Sequence, residues 1–240
     1  MTPTTQTVRD IALEQPSSIR VFEQFGIDYC CGGRKPLSEA CTAGKLEIGA
    51  VIAALEAAAK TPELDIEDWA GKSLESLSQH IVTTHHAFVK RELPRLALIA
   101  AKVVNRHGAT KPELPLIAGT LARLDAELTQ HLTKEETVLF PYISNLEHAV
   151  ATGAEKPHSC FRTIANPIAM MTQEHDAAGM LLAELRHLSH NFMTPDDACP
   201  TFHAFYDGLK EFEQDLHQHI HLENNILFPN AIELEQALNY

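Results

Sequence analysis

The chain has 240 residues, a formal net charge of −13 and a pI near 5.5, with no clustering of basic residues. That balance speaks against nucleic acid and against an anionic membrane surface as partners. There is no ~18-residue apolar run to span a membrane and no signal-like N-terminus, and five cysteines, two of them adjacent, do not make a disulfide framework, so a cytoplasmic protein is expected.

Residues 1–60 are expected to form a small helical domain. Val8 to Glu14 reads as a short helix stopped by Pro16. Ile19, Phe22 and Phe25 are three apart on the next, and Gly26 suits a left-handed cap. Asp28-Tyr29-Cys30-Cys31-Gly32-Gly33 is a turn by its glycines. Leu37 to Thr42 and Leu46 to Ala59 read as helices separated by Gly44. A domain of ~60 residues is marginal alone, so it leans on the rest of the chain or on a second copy, and a homodimer is an expectation. Residues 61–73 read as a linker, in which Trp69 either pins it to the C-terminal helices or packs as an ordinary apolar residue.

Residues 74–240 read as four long helices, and no strand pattern is present. Helix one covers about 74–106, kinked at Pro94. Helix two covers 113–147, followed by a long connection over 148–166. Asn166-Pro167 opens helix three, to about 191, and Thr194-Pro195 opens helix four, about 195–236. The fold class is therefore all-α, a small N-terminal helical domain followed by an antiparallel four-helix bundle.

Helix two contains His131-x-x-x-Glu135-x-x-x-Leu139-Phe140-Pro141, and helix four contains His219-x-x-x-Glu223-x-x-x-Leu227-Phe228-Pro229. Residues four apart share a helix face, so each copy presents an imidazole beside a carboxylate. His86 precedes His131 by 45 residues, and His175 precedes His219 by 44. These six residues interrupt apolar seams. Helix two has Ile117, Leu121, Leu124, Leu128, His131, Glu135, Val138 and Tyr142. Helix three has Ile168, Met171, His175, Ala178, Leu182 and Leu185, and helix four has Phe202, Phe205, Leu209, Phe212, Leu216, His219, Glu223 and Ile226. In helix one, the line Val82, His86, Val89, Leu93, Leu96 is more apolar than the line through His85, which selects His86.

One such histidine would be a core residue satisfied by a local hydrogen bond. Six polar residues in two matched sets are poor core filling but suit a pair of non-haem metal ions. They are too many for one zinc, whose sites usually hold four ligands. Glu135 and Glu223 would bridge two ions. Positions would remain for an oxo or hydroxo bridge and for dioxygen or nitric oxide, which makes iron the expected metal. The other histidines are assigned to core or surface.

The chain resembles the iron–sulfur cluster repair di-iron proteins, whose bundle is haemerythrin-like. The resemblance rests on Asp28 to Gly33, His86 with Leu93-Pro94, the two His-x-x-x-Glu…Leu-Phe-Pro copies and Glu174-His175-Asp176. It implies that His86, His131, Glu135, His175, His219 and Glu223 ligate two irons, and it places Glu127 and Glu174 near them. It implies repair of iron–sulfur proteins damaged by oxidative or nitrosative stress, through labile iron. Nitric oxide reduction at the iron pair and a non-catalytic dioxygen or nitric oxide sensor are the alternatives.

Cys30 and Cys31 are read as a thiol pair exposed in a turn, handling iron, nitrosyl or persulfide species or electrons. Adjacent Cα atoms are ~3.8 Å apart, too close for a relaxed disulfide. The two glycines behind them would admit a partner's backbone.

Overall fold

The structure is a computed structural model that describes residues 4–60, 69 and 71–238. Most of the expected 61–73 linker lies outside the described residues; within it, the Lys72 ammonium stands 4.8 Å from the centre of the Trp69 ring. By their contacts the residues divide into two units, Met1–Lys72 with Ile220–Pro229, and Ser73–His219 with Asn230–Tyr240. Among the described residues no helix is long and apolar enough to cross a membrane.

The first unit holds α1 (Val8–Glu14), α2 (Ser18–Phe25), α3 (Leu37–Ala43) and α4 (Ile48–Ala59). Thr7 caps α1, its hydroxyl accepting the Asp10 N–H, and the Glu47 carboxylate does the same for α4 through Ala50. Gly26 ends α2 at φ 65°, the left-handed cap that the sequence calls for. The buried face of α2 is Ser18, Val21 and Phe22, while Ile19 and Phe25 are only half-buried. The core of the unit adds Val8, Ile11, Tyr29, Leu37, Val51 and Leu55.

The bundle is built from four long runs. The first is α5 (Leu74–Ile81), a π-helical turn at Val82–His86, and α6 (Ala87–His107), which continues through Pro94. The second is α7 (Glu113–Lys134), a π turn at Glu135–Leu139, and α8 (Phe140–Thr152). The third is α9 (Ala165–Leu188), and the fourth is α10 (Pro200–Leu222), a π turn at Glu223–Leu227, and α11 (Phe228–Ala237). The helix-three start is met within two residues. Helix four begins later than expected, because Thr194-Pro195 forms a separate turn in which the Ala198 N–H donates to the Pro195 carbonyl at 2.9 Å.

The π turns correct the seams. Each widens the backbone hydrogen bond to five residues, with the N–H of Ala87, Phe140 and Phe228 donating to Val82, Glu135 and Glu223 respectively. One extra residue per turn rotates the helix beyond it by about 100°. Inward positions past the turn therefore move by one: Leu139 is buried and Val138 is 42 % exposed. Leu227 is likewise buried where Ile226 was expected, and in helix one Ile81 is buried in place of Val82. The Leu-Phe-Pro motif explains two of the three turns. Pro141 and Pro229 have no N–H to donate four residues back, which releases the carbonyls of Thr137 and Asn225. The freed Asn225 carbonyl accepts from Arg9 at 3.0 Å.

The 148–166 connection is shorter than expected, because α8 runs on to Thr152, and it is tied to α11. Buried Glu235 accepts from the Ile164 N–H at 3.1 Å, from the Thr163 hydroxyl at 2.5 Å and from the Tyr142 hydroxyl at 3.1 Å, and it pairs with Lys156 at 3.2 Å. The carboxylate thus holds the entry to α9, a role expected of Asn166. Burial pushes its pKa up, but these donors together hold it below the ordinary carboxyl value of 4.5. A depressed folded-state pKa contributes stability above the unfolded carboxyl range, and that stability is lost as pH falls. Glu235→Ala is expected to cost about 2–3 kcal/mol at pH 7, and by thermal melts this loss should shrink below pH 4. A loss independent of pH would contradict the assignment.

Candidate metal centre

The six expected ligands converge. His86, Glu135, His219 and Glu223 offer donor atoms all within 4.8 Å of one another, and so do His131, Glu135, His175 and Glu223. The two groups share both glutamates, and none of the six residues is more than 2 % exposed. The helical runs explain the placement. His131 lies in the last turn of α7, and Glu135, four residues on, opens the π turn. His219 and Glu223 repeat this on the fourth run, and His86 ends the π turn of the first.

The outer nitrogens decide what the inner ones can do. His86 Nδ1 is 2.7 Å from Glu136 Oε1, and His131 Nδ1 is 2.9 Å from Glu174 Oε2. An ionised carboxylate only accepts, so each Nδ1 carries the proton and each Nε2 of a neutral ring keeps its lone pair. Those Nε2 atoms face His219 Nε2 at 3.1 Å and His175 Nε2 at 3.0 Å. Two imidazole pairs aimed at one another, with two buried carboxylates between them, form a donor set that a protein core has no use for and a cation satisfies. This buried cluster could hold metal.

Glu136 and Glu174 are themselves held by lysines. Lys90 lies 2.6 Å from Glu136, and Lys134 pairs with Glu174. Burial raises both carboxyl pKa values, while the lysines and histidines bring them below the ordinary range. Each carboxylate therefore stays ionised near neutrality and keeps its histidine in one tautomer. Glu174 is placed as expected, whereas Glu136 is an addition. Its signal in the sequence is its position, directly after Glu135, as Glu174 directly precedes His175.

Glu127 does not join them. It is exposed, off the Leu124–Leu128–His131 seam on the solvent side, and belongs to neither donor group. His85 is buried but outside both groups; its Nδ1 is 3.0 Å from Asp215, and its ring stacks nearly parallel on His219 at 5.7 Å. Glu136→Ala should weaken metal affinity about 10–100-fold by removing the acceptor that orients His86, and chelator competition would measure it. Unchanged affinity would show that Glu136 does not position His86.

The cysteine turn differs from its expectation. Asp28 organises it, its carboxylate accepting the N–H groups of Cys30 at 3.0 Å, Cys31 at 2.9 Å and Gly32 at 2.8 Å. Cys30 is buried and Cys31 half-buried, so the pair is not freely exposed. The Cys30 thiol donates to Cys31 Sγ at 3.7 Å, and the two form no disulfide. The Cys31 thiol, burial and the Asp28 charge all push the Cys30 thiol well above its usual range, which disfavours a Cys30 thiolate. Gly33 is required by its own turn: a Cβ there would sit 2.6 Å from the Tyr29 carbonyl oxygen. In the same unit, Asn225 donates to the Tyr29 carbonyl at 3.1 Å and to His221 Nδ1 at 2.8 Å, and Asn224 donates to the Cys30 carbonyl at 3.4 Å.

Residues 77–231 match the Hemerythrin HHE cation binding domain, and residues 4–59 match a domain of unknown function, DUF542. The iron-sulfur cluster repair protein YtfE of Yersinia pseudotuberculosis serotype IB (strain PB1/+) is 38 % identical over 228 residues, covering 95 % of this chain and 96 % of its own. The protein of the same name from Yersinia pestis (strain Pestoides F) matches with the same identity and coverage. The chain belongs to the YtfE iron-sulfur cluster repair protein family. Membership accounts for the order of the two matched regions, the cysteine turn lying in the first and all six convergent side chains in the second.

Proposed function

We propose that the cluster holds two iron ions and that the protein supplies iron to damaged iron–sulfur proteins. The observation that carries the first part is the sharing of Glu135 and Glu223 between two groups that each contain two imidazoles. In this reading His86 and His219 would hold one ion and His131 and His175 the other, with Glu135 and Glu223 available to both. When bound, the pair supplies exchangeable ferrous or ferric iron in a nitrogen–oxygen setting. The absence of thiolate from that set favours release over permanent retention. Glu136 with Lys90, and Glu174 with Lys134, keep the imidazole donors deprotonated at Nε2 and ready to rebind.

The family's name for its members supports the second part of the reading. Cys31 is the accessible thiol of its pair, and Cys30 the buried one behind it. Asn224 and Asn225 tie their turn to the π turn that carries Glu223. A transfer assay tests the proposal: iron-loaded protein is added to a cluster-free apo-hydratase with sulfide and reductant. Recovery of hydratase activity with loss of iron from the donor is expected. The Cys30→Ala, Cys31→Ala double variant should keep its iron and transfer it poorly. No recovery while the iron stays bound would refute iron donation.

A second reading is favoured by a pocket of about 360 Å³ lined by Val82, Glu136, Phe140 and Pro141 among others. Phe140 stacks on His86 at 5.6 Å and Glu136 bonds to it, so the pocket ends on the two side chains that support this imidazole. A small ligand such as nitric oxide or dioxygen would have access there. Sustained nitrous oxide release from nitric oxide and a reductant would favour reduction over repair.

A further inference from the structure

Cys199 is outside the cysteine turn and outside the bundle's polar cluster, yet its surroundings are not those of an inert thiol. It occupies the N-cap of α10, its carbonyl accepting the Phe202 N–H at 2.8 Å and the His203 N–H at 3.1 Å. The N-cap is the place where Ser, Thr, Asp or Asn offers an oxygen to the first free amides. Here the residue is a cysteine, whose sulfur lies beside the first amides of the helix, those of Thr201 and Phe202. Amides and the positive end of the helix favour negative charge at that atom.

The side chain facing it comes from the opposite kind of helix end. His107 is the last residue of α6, where carbonyl dipoles favour positive charge. Its Nε2 lies 3.3 Å from Cys199 Sγ, and its ring packs on Phe202 with centroids 5.5 Å apart. Asp197, two residues before it in the chain, is paired with Lys111 at 3.1 Å. Both Cys199 and His107 are half-buried, so a small reagent reaches the sulfur while the imidazole is held against it. The His107 contact first, then the helix amides, bring the thiol from its ordinary value down to about 7.

We propose that Cys199 with His107 is a modification site that takes up a low-molecular-weight thiol by exchange with the corresponding disulfide. The Cys199 thiolate attacks one sulfur of the disulfide, a new S–S bond forms and the old one breaks. The departing thiolate takes the proton left on His107 or one from solvent. The net change is one protein thiol and one small disulfide giving one mixed disulfide and one small thiol. The site lies some 20 residues along α10 from His219, about 30 Å at the rise of a helix, so it is chemically independent of the metal ligands.

Intact protein treated with glutathione disulfide at graded pH, quenched with acid and mapped by peptide mass spectrometry, tests this. Cys199 should be glutathionylated with a half-maximal rate near pH 7, about three- to five-fold faster at pH 7 than the exposed Cys160, since greater thiolate fraction outweighs lower intrinsic nucleophilicity. His107→Gln should move the Cys199 profile upward by about one pH unit and leave Cys160 unchanged. Iron content should be the same before and after modification. A wild-type Cys199 profile centred above pH 8, or one unmoved by His107→Gln, would overturn the proposal, and the first of these needs no variant to fold.

Discussion

Glu135→Ala and Glu223→Ala are each expected to leave the purified protein with well under one iron per chain, against about two in the parent if both ions are bridged as in other two-metal sites. Each glutamate belongs to both donor groups, so its removal weakens both ions at once, whereas His86→Ala or His175→Ala touches one group only. The single-histidine variants should therefore retain more iron than either glutamate variant. The glutamate variants should also remain folded, because a 0 % exposed carboxylate is exchanged for a small apolar group that the core accepts. Metal analysis beside circular dichroism separates loss of iron from loss of fold. Equal iron loss in all four variants would mean that the glutamates are not shared.

Arg186→Ala is the largest expected loss of stability. Glu213 on α10 is 2 % exposed, and Arg186 on α9 meets it with two nitrogens, Nε at 3.0 Å and Nη2 on the other carboxylate oxygen. The guanidinium also lies 5.4 Å from the centre of the Phe192 ring. Without it the carboxylate is buried and uncompensated, which costs about 3–5 kcal/mol and about 6–20 °C in melting temperature for a chain of this size. Replacing both partners, Arg186→Met with Glu213→Leu, should recover most of that loss, because the penalty belongs to the leftover charge rather than to a missing attraction. If the double variant is as unstable as Arg186→Ala, packing of the arginine stem is the greater contribution.

The six convergent side chains were legible because their spacing is set by the helix itself. His131 and Glu135, or His219 and Glu223, are four apart and cannot avoid sharing a face. His175 was reached through an unbroken seam, and all of Ile168, Met171, Ala178, Leu182 and Leu185 are buried beside it. Reading failed where the helical period changes. A heptad period extended past Glu135 and Glu223 lacks the inserted residue and points to Val138 and Ile226 in place of the buried Leu139 and Leu227. The prolines of the two Leu-Phe-Pro motifs carried that information. A residue without an N–H six residues past a buried carboxylate marks a place where a wider hydrogen bond is favoured. Partners that come from another helix were the other loss. Glu136 and Asp215 are recognisable as supports of His86 and His85 only once the helices are side by side. The same holds for Glu235, some 70 residues from the Ile164 N–H that it receives.

The cysteine turn was legible as a turn and not as an environment. Its glycines mark the reversal, but the burial of Cys30 and the three N–H groups gathered by Asp28 depend on packing that no spacing reveals.

The most direct measurement is metal quantification with Mössbauer spectroscopy on untagged protein isolated without added metal. Two irons per chain with the signature of a magnetically coupled pair is the predicted result. A single ion, or a protein that folds and stays stable with its His and Glu cluster holding no metal at all, would contradict it.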